Sequence, residues 1–198
     1  MYKFVLSKLV NMRIIIIGAG GTIGKIITPA LQVSHELITV GRNNGDIIAD
    51  ISSTDSIENI FKQVSNIDAV VCTAGDSISD SLAAMDESKY SIGLTQKLLA
   101  QINLVLIGSK FLNENGSFTL ISGKMGEKPA KGSSGKAIAN GAVNSFVLAA
   151  ALEMPKSIRI NAISPSKVSD ISSTDLINAY LKSIDTATNG EIIRIGYN

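Results

Sequence analysis

From residue 12 onward the apolar residues follow two alternating rhythms: short unbroken runs rich in isoleucine and valine, and longer stretches where they recur every three or four positions. Met12 to Ile17 is a run of the first kind ending at a glycine, and it predicts a strand buried on both faces, as in a parallel sheet. Ile23, Ile26, Ile27, Ala30 and Leu31 then recur at helical spacing, with Pro29 bending that helix or lying close to its end. The alternation continues with strands at Leu37 to Val40 and Ile47 to Ala49, a helix over Ile57 to Val64 opened by Ser53 to Asp55, and a strand at Ala69 to Cys72.

The second half predicts a long helix over Asp86 to Leu112, a strand at Ser117 to Ile121 and a second long helix over Lys136 to Met154. A strand at Ile158 to Ile163, a helix over Leu176 to Leu181 and a last strand at Glu191 to Ile195 complete it. About seven strands with helices on both faces make this an α/β chain of the Rossmann type, a doubly wound parallel sheet. No repeat or low-complexity linker divides residues 1–198, so one domain is expected. The first eleven residues read either as a short N-terminal extension or as an over-called start with Met12 as the initiator.

Composition narrows the function. A chain of 198 residues is expected to bury about 70% of its unfolded surface in one core. Hydrophobic residues make up 45%, charged residues 18%, and the formal charge is +1, so no excess of either sign points to nucleic acid or an anionic membrane. The strongest apolar runs, Ile14 to Ile17 and Val147 to Leu152, are far short of the roughly 20 residues that span a bilayer. Lys3 and Lys8 are not followed by an apolar stretch and cleavage site, so a secretory signal is not expected and a cytoplasmic location is. With Cys72 and His35 each alone of their kind, neither a disulfide framework nor a zinc ligand set is expected, and Cys72 reads as a core residue.

The chemistry starts at Gly18-Ala19-Gly20-Gly21-Thr22-Ile23-Gly24, between the first strand and its helix. A loop there presents free backbone N–H groups and the positive end of a helix, which suits a pyrophosphate; as a bare turn, the same glycines serve only tight strand-to-helix geometry. The candidate dinucleotide contacts are Gly18, Gly21, Thr22, Ile23 and Gly24. About 20 residues further, where NAD enzymes place an acid for the ribose hydroxyls, stand Arg42 and Asn43. They offer donors to a 2′-phosphate, so NADP is expected, with NAD as the alternative; a solvated surface arginine is the plainer reading of Arg42.

At these residues the chain resembles the short-chain dehydrogenase/reductase superfamily, from Met12 to Ile195. The resemblance implies that Asp50 and Ile51 border the adenine and that Thr73, Ala74 and Gly75, with Thr73 in place of the usual asparagine, pass close to the adenosine ribose. It implies that the strand ending Ala162-Ile163-Ser164-Pro165 brings Pro165 to Val168 near the nicotinamide, with Ser166 in place of the usual glycine. It also implies that Ser122 orients a substrate carbonyl, although a strand-end hydroxyl bonded to local backbone is the plainer reading.

The family's Tyr-x-x-x-Lys pair is missing. Its slots hold Lys136 and Asn140, and no tyrosine lies between Tyr90 and Tyr180. An unperturbed lysine has a pKa near 10.4, close to that of tyrosine, so a lysine in this slot could donate a proton, but an ammonium beside an oxidised nicotinamide is electrostatically disfavoured. Lys97 falls near the family's relay asparagine, and it reads either as facing the site or as a snorkelling surface lysine. The expectation is an NADP-dependent oxidoreductase acting on a small carbonyl or alcohol through Ser122, Lys136 and Lys97. The alternative is an NADP(H)-binding sensor without turnover. The helix over Lys136 to Met154 is apolar nearly all round, with one stripe through Ile138, Ala142, Phe146 and Ala149 and another through Val143, Val147, Ala150 and Met154, so a homodimer or larger homo-oligomer is expected.

Overall fold

A computed structural model describes residues 11–197; residues 1–10, where the expected N-terminal extension falls, lie outside it. Seven parallel strands form one sheet in the order β3-β2-β1-β4-β5-β6-β7, from β1 (Arg13–Ile17), β2 (Glu36–Gly41), β3 (Ile47–Ile48), β4 (Ile67–Cys72), β5 (Leu112–Ile121), β6 (Arg159–Pro165) and β7 (Ile192–Ile195). In β1 successive side chains point to opposite faces. Ile14 and Ile16 join one core with α1 (Thr22–Leu31) and α6 (Ser173–Asp185), while Ile15 and Ile17 join the other with α2 (Thr54–Gln63), α4 (Ala100–Gly108) and α5 (Ser134–Ala150). Each such isoleucine is at most 2% exposed, and burial of this kind contributes about 1.5–3 kcal/mol per side chain.

Several boundaries differ from the pattern-based expectation: the helix expected over Lys136 to Met154 spans Ser134–Ala150, ending ahead of Pro155, and three further differences follow from specific contacts. The helix expected over Asp86 to Leu112 ends at Gly108, where the chain packs on the Phe61 ring so closely that a Cβ on Gly108 would lie 2.5 Å from Phe61 Cζ. Phe111 then stacks on Phe61 at 5.5 Å. Strand β5 therefore begins at Leu112, which pairs with Ile67, and passes through an irregularity with Asn115 at φ +61° before regular pairing resumes at Ser117. Helix α6 runs well beyond Leu176–Leu181, since the Ser172 hydroxyl accepts from Asp175 N–H at 3.0 Å and donates to the Asp175 carboxylate at 2.7 Å.

The helix between β4 and β5 begins as α3 (Glu87–Gly93) and continues into α4 through a π-helical stretch, Leu94–Leu99. The helix over Glu87–Gly108 is 22 residues long, and an 18-residue stretch of it has a mean hydropathy of 1.2, so length and composition alone would allow a membrane crossing. In the fold this helix instead packs Ala100, Gln101, Leu104 and Val105 inward. The chain runs outward from β1 to β3 and returns to β4, so the direction reverses between β1 and β4, and in open α/β sheets the crevice above that point is where ligands bind.

Candidate active site

The crevice has a narrow half above β1, β2 and β4. The amide of Thr73, just after β4, donates to the Ile17 carbonyl at 2.9 Å, and its hydroxyl reaches the Ile17 and Gly18 carbonyls, each at 3.0 Å. This ties the loop after β4 to the glycine loop. Gly21 caps α1 with no side-chain hydrogen bond and no acid in the first turn, which leaves the positive end of that helix open. A Cβ on Gly24 would lie 2.3 Å from the Gly18 carbonyl oxygen, so only glycine lets the helix start this close to the loop. Gly18, Gly21, Arg42, Asn43, Asp50, Ile51, Thr73 and Ala74 all line this half, a cavity of about 420 Å³. Thr22 lies exposed at the start of α1, whereas the Ile23 side chain is buried in the core beneath it.

At the outer end of this half Arg42 faces Asp76 across the crevice, with Nη2 3.4 Å from Oδ2 and both side chains exposed. A pair so solvated is worth little, about 0–1 kcal/mol, and yields readily to a phosphate. Asp50 caps its own turn: its carboxylate accepts from the Ser52 amide and hydroxyl, and these two bonds hold it below the usual carboxylate range. Asn44 was not singled out in the sequence. It leans over the glycine loop, where a Cβ on Gly20 would meet its Oδ1 at 2.6 Å.

Gly75 and Asp76 join the narrow half to a wider one of about 590 Å³ above β5 and β6. Ser122, Lys97, Lys136, Asn140 and Pro165 all line it. Val168 does not; it packs against the core on the α6 side. Ser122 directly follows β5, its amide bonded to the Ile163 carbonyl at 2.9 Å, while its buried hydroxyl has no partner. A local backbone bond therefore does not account for this hydroxyl. Asn140 Oδ1 is likewise buried and unpartnered.

Lys97 does not snorkel. It is 7% exposed, and its Nζ donates to the Ser122 carbonyl at 3.1 Å. Burial pushes its pKa down to about 8, with a further push from the Lys136 charge and an opposing pull from Cys72. Gly75 makes room for its stem: at φ +146° and with a Cβ position 2.8 Å from Lys97 Cγ, no larger residue fits there. Gln101 Nε2 donates to the Lys97 carbonyl at 3.2 Å, and the same amide brackets Ile121, donating to its carbonyl at 3.0 Å and accepting from its N–H at 2.8 Å. Gln101 thus locks the lysine to the strand that carries Ser122, a role no sequence signal announced beyond a glutamine in an apolar helix. Cys72, buried and pushed up to about 12 by desolvation, bonds only the Ala74 carbonyl and is core. Among the described residues no tyrosine lines either half of the crevice.

Comparison with known proteins agrees with this geometry. Residues 28–191 match the family model described as enoyl-(acyl carrier protein) reductase. The crystal structure of the protein lin1944 from Listeria innocua is 38% identical, with a TM-score of 0.90 over 94% of this chain and 100% of that one. The short-chain dehydrogenase/reductase ATR9 of Stachybotrys chlorohalonatus is 33% identical over 59% of this chain and 49% of its own length, so the match spans about half of that relative. A solved small-chain dehydrogenase in complex with NADPH, 21% identical, shares the fold at a TM-score of 0.83 over 93% of this chain.

Proposed function

The chain belongs to the short-chain dehydrogenase/reductase family, and from that premise we propose that it is an NADP-dependent oxidoreductase acting on a small carbonyl or its alcohol. The observation that carries this reading is the continuous crevice that joins an open helix end, faced by Arg42, to a buried, unpartnered Ser122 hydroxyl. The narrow half fits the adenosine end of a dinucleotide. Uncapped α1 and the Gly18–Gly24 loop suit the pyrophosphate, Arg42 and Asn43 the 2′-phosphate, Asp50 and Ile51 the adenine, and Thr73 to Gly75 the ribose. Pro165, which lines the wide half, suits the nicotinamide end.

When bound, the nicotinamide supplies or accepts the hydride at the substrate carbon. The chain's own residues do the rest. The Ser122 hydroxyl donates to the carbonyl oxygen, Lys136 delivers the proton, and Lys97 resupplies it from the buried side. A lysine whose pKa lies near 8 suits this role, since proton transfer is most effective when the pKa lies near the operating pH. The proposed assembly is a homodimer in the cytoplasm, and the support is an apolar surface: Val143 and Val147 face the core, while Ile138, Leu148, Leu99 and Leu106 are 47–57% exposed on α5 and on the helix running into α4.

The test is NADPH oxidation by the purified protein with a panel of aldehydes, ketones and quinones. Turnover that disappears in Ser122→Ala supports the reading. Tight NADPH binding with no turnover across the panel would replace it with the sensor reading, which the absence of a lining tyrosine among the described residues favours.

A further inference from the structure

The wide half of the crevice carries charge of one sign. Lys97, Lys124, Lys131, Lys136 and Lys167 line it against a single carboxylate, Asp76, which already faces Arg42. Lys167 has Asp170 at 3.9 Å, and the other four have no ion-pair partner among the described residues. A chain with 18 basic and 17 acidic side chains has no general surplus to explain this, so the concentration is local. The same wall includes the N-terminus of α5, a 17-residue helix whose Ser133 cap makes no side-chain cap bond and whose first turn has no acid. The Ser122 hydroxyl, on a residue 97% buried, lines this cavity with no partner and can donate to a bound ligand.

We propose that the substrate is a small anion, a carbonyl compound or alcohol bearing a carboxylate or phosphate, held by Lys124, Lys131 and the N-terminus of α5 with its reactive carbon toward Ser122. This rests on the oxidoreductase reading and names its substrate class. Lys124 and Lys131 line only the wide half, away from Arg42 and the glycine loop that suit the cofactor's own phosphates. The anion also answers an electrostatic difficulty. Two active-site lysines beside an oxidised nicotinamide place like charges in a confined site, and a bound carboxylate or phosphate offsets them.

The experiment is calorimetry on protein saturated with NADP⁺, which cannot reduce a carbonyl, using matched pairs. These are para-carboxybenzaldehyde against methyl para-formylbenzoate for the carboxylate arm, and dihydroxyacetone phosphate against dihydroxyacetone for the phosphate arm. In at least one arm the anion is expected to bind about tenfold tighter than its neutral partner, with the preference shrinking at high salt. It should fall to within about twofold in Lys124→Met/Lys131→Met, with NADP⁺ affinity unchanged. Lys131→Met alone, at an exposed position, should remove part of it, which guards against misfolding of the double variant. No preference in either arm, no saturable binding of either anion, or a preference that survives the double variant would overturn the proposal. Failure of both NADP⁺ and NAD⁺ to bind would instead overturn the oxidoreductase reading.

Discussion

The Nζ of Lys97 lies 3.1 Å from the main-chain carbonyl oxygen of Ser122, the residue whose unpartnered hydroxyl faces the wide cavity. A cation brought in from the helix before α4 thus reaches the end of β5 from beneath, while α5 brings Lys136 and Asn140 to the same cavity. The arrangement has two consequences for pH, one on rate and one on stability.

On rate, reduction requires a protonated lysine, so kcat for carbonyl reduction should fall as pH rises through about 8, the Lys97 value. Lys97→Met should abolish that inflection, and Lys136→Met should depress kcat by about 10²–10⁴, the usual contribution of a general acid, with NADPH affinity nearly intact. A pH–rate profile of each variant checks this. An unchanged profile in Lys97→Met, or full activity in Lys136→Met, would remove these lysines from proton transfer.

On stability, a lysine lowered from 10.5 to about 8 in the fold binds fewer protons there than in the unfolded chain between those two pH values. Stability therefore rises with pH across that window, and at pH 7 the buried ammonium costs roughly 3 kcal/mol. Lys97→Met should raise the melting temperature at pH 7 by several degrees, with an advantage that narrows by pH 10. A lower melting temperature at pH 7 would mean that the bond to Ser122 outweighs the burial cost.

Gln101→Met keeps the side-chain volume but leaves the Ile121 N–H and carbonyl without their side-chain partner. A loss of about 1–3 kcal/mol in denaturant unfolding is expected for each buried group stranded. Because Gln101 also holds the Lys97 carbonyl, the pH–rate inflection should move as well, which a purely structural glutamine would not cause.

The homodimer is checked by light scattering at micromolar concentration. Twice the monomer mass is expected, and Leu106→Glu together with Leu148→Glu should shift the protein toward monomer without loss of helical circular dichroism. A monomer in the unaltered protein would refute the assembly.

Strand and helix order were legible because each strand is a short β-branched run and each helix repeats its apolar positions at 3–4 residues. The break at Gly108 was not, since the apolar pattern runs on unbroken to Leu112, and the close packing of Gly108 on Phe61, 47 positions away in the chain, is a contact that local periodicity does not encode. The glycine loop announced itself through its place between strand and helix. Lys97 was ambiguous for a physical reason: a lysine in an apolar stripe reads the same whether its stem snorkels or its ammonium is buried, and only the fold, which brings the Ser122 carbonyl 3.1 Å from Nζ, decides between them. Asn44 and Asp76 escaped notice because polar loop residues carry no spacing signal.

The most direct test of the central claim is a pair of calorimetric titrations, NADPH and NADH, into the same protein and into Arg42→Ala. NADPH should bind more tightly to the unaltered protein, by roughly 1.5–3 kcal/mol for a charge-assisted phosphate contact, and Arg42→Ala should erase that difference while leaving NADH affinity in place. Equal affinities for the two cofactors, or an NADPH affinity untouched by Arg42→Ala, would contradict the NADP assignment.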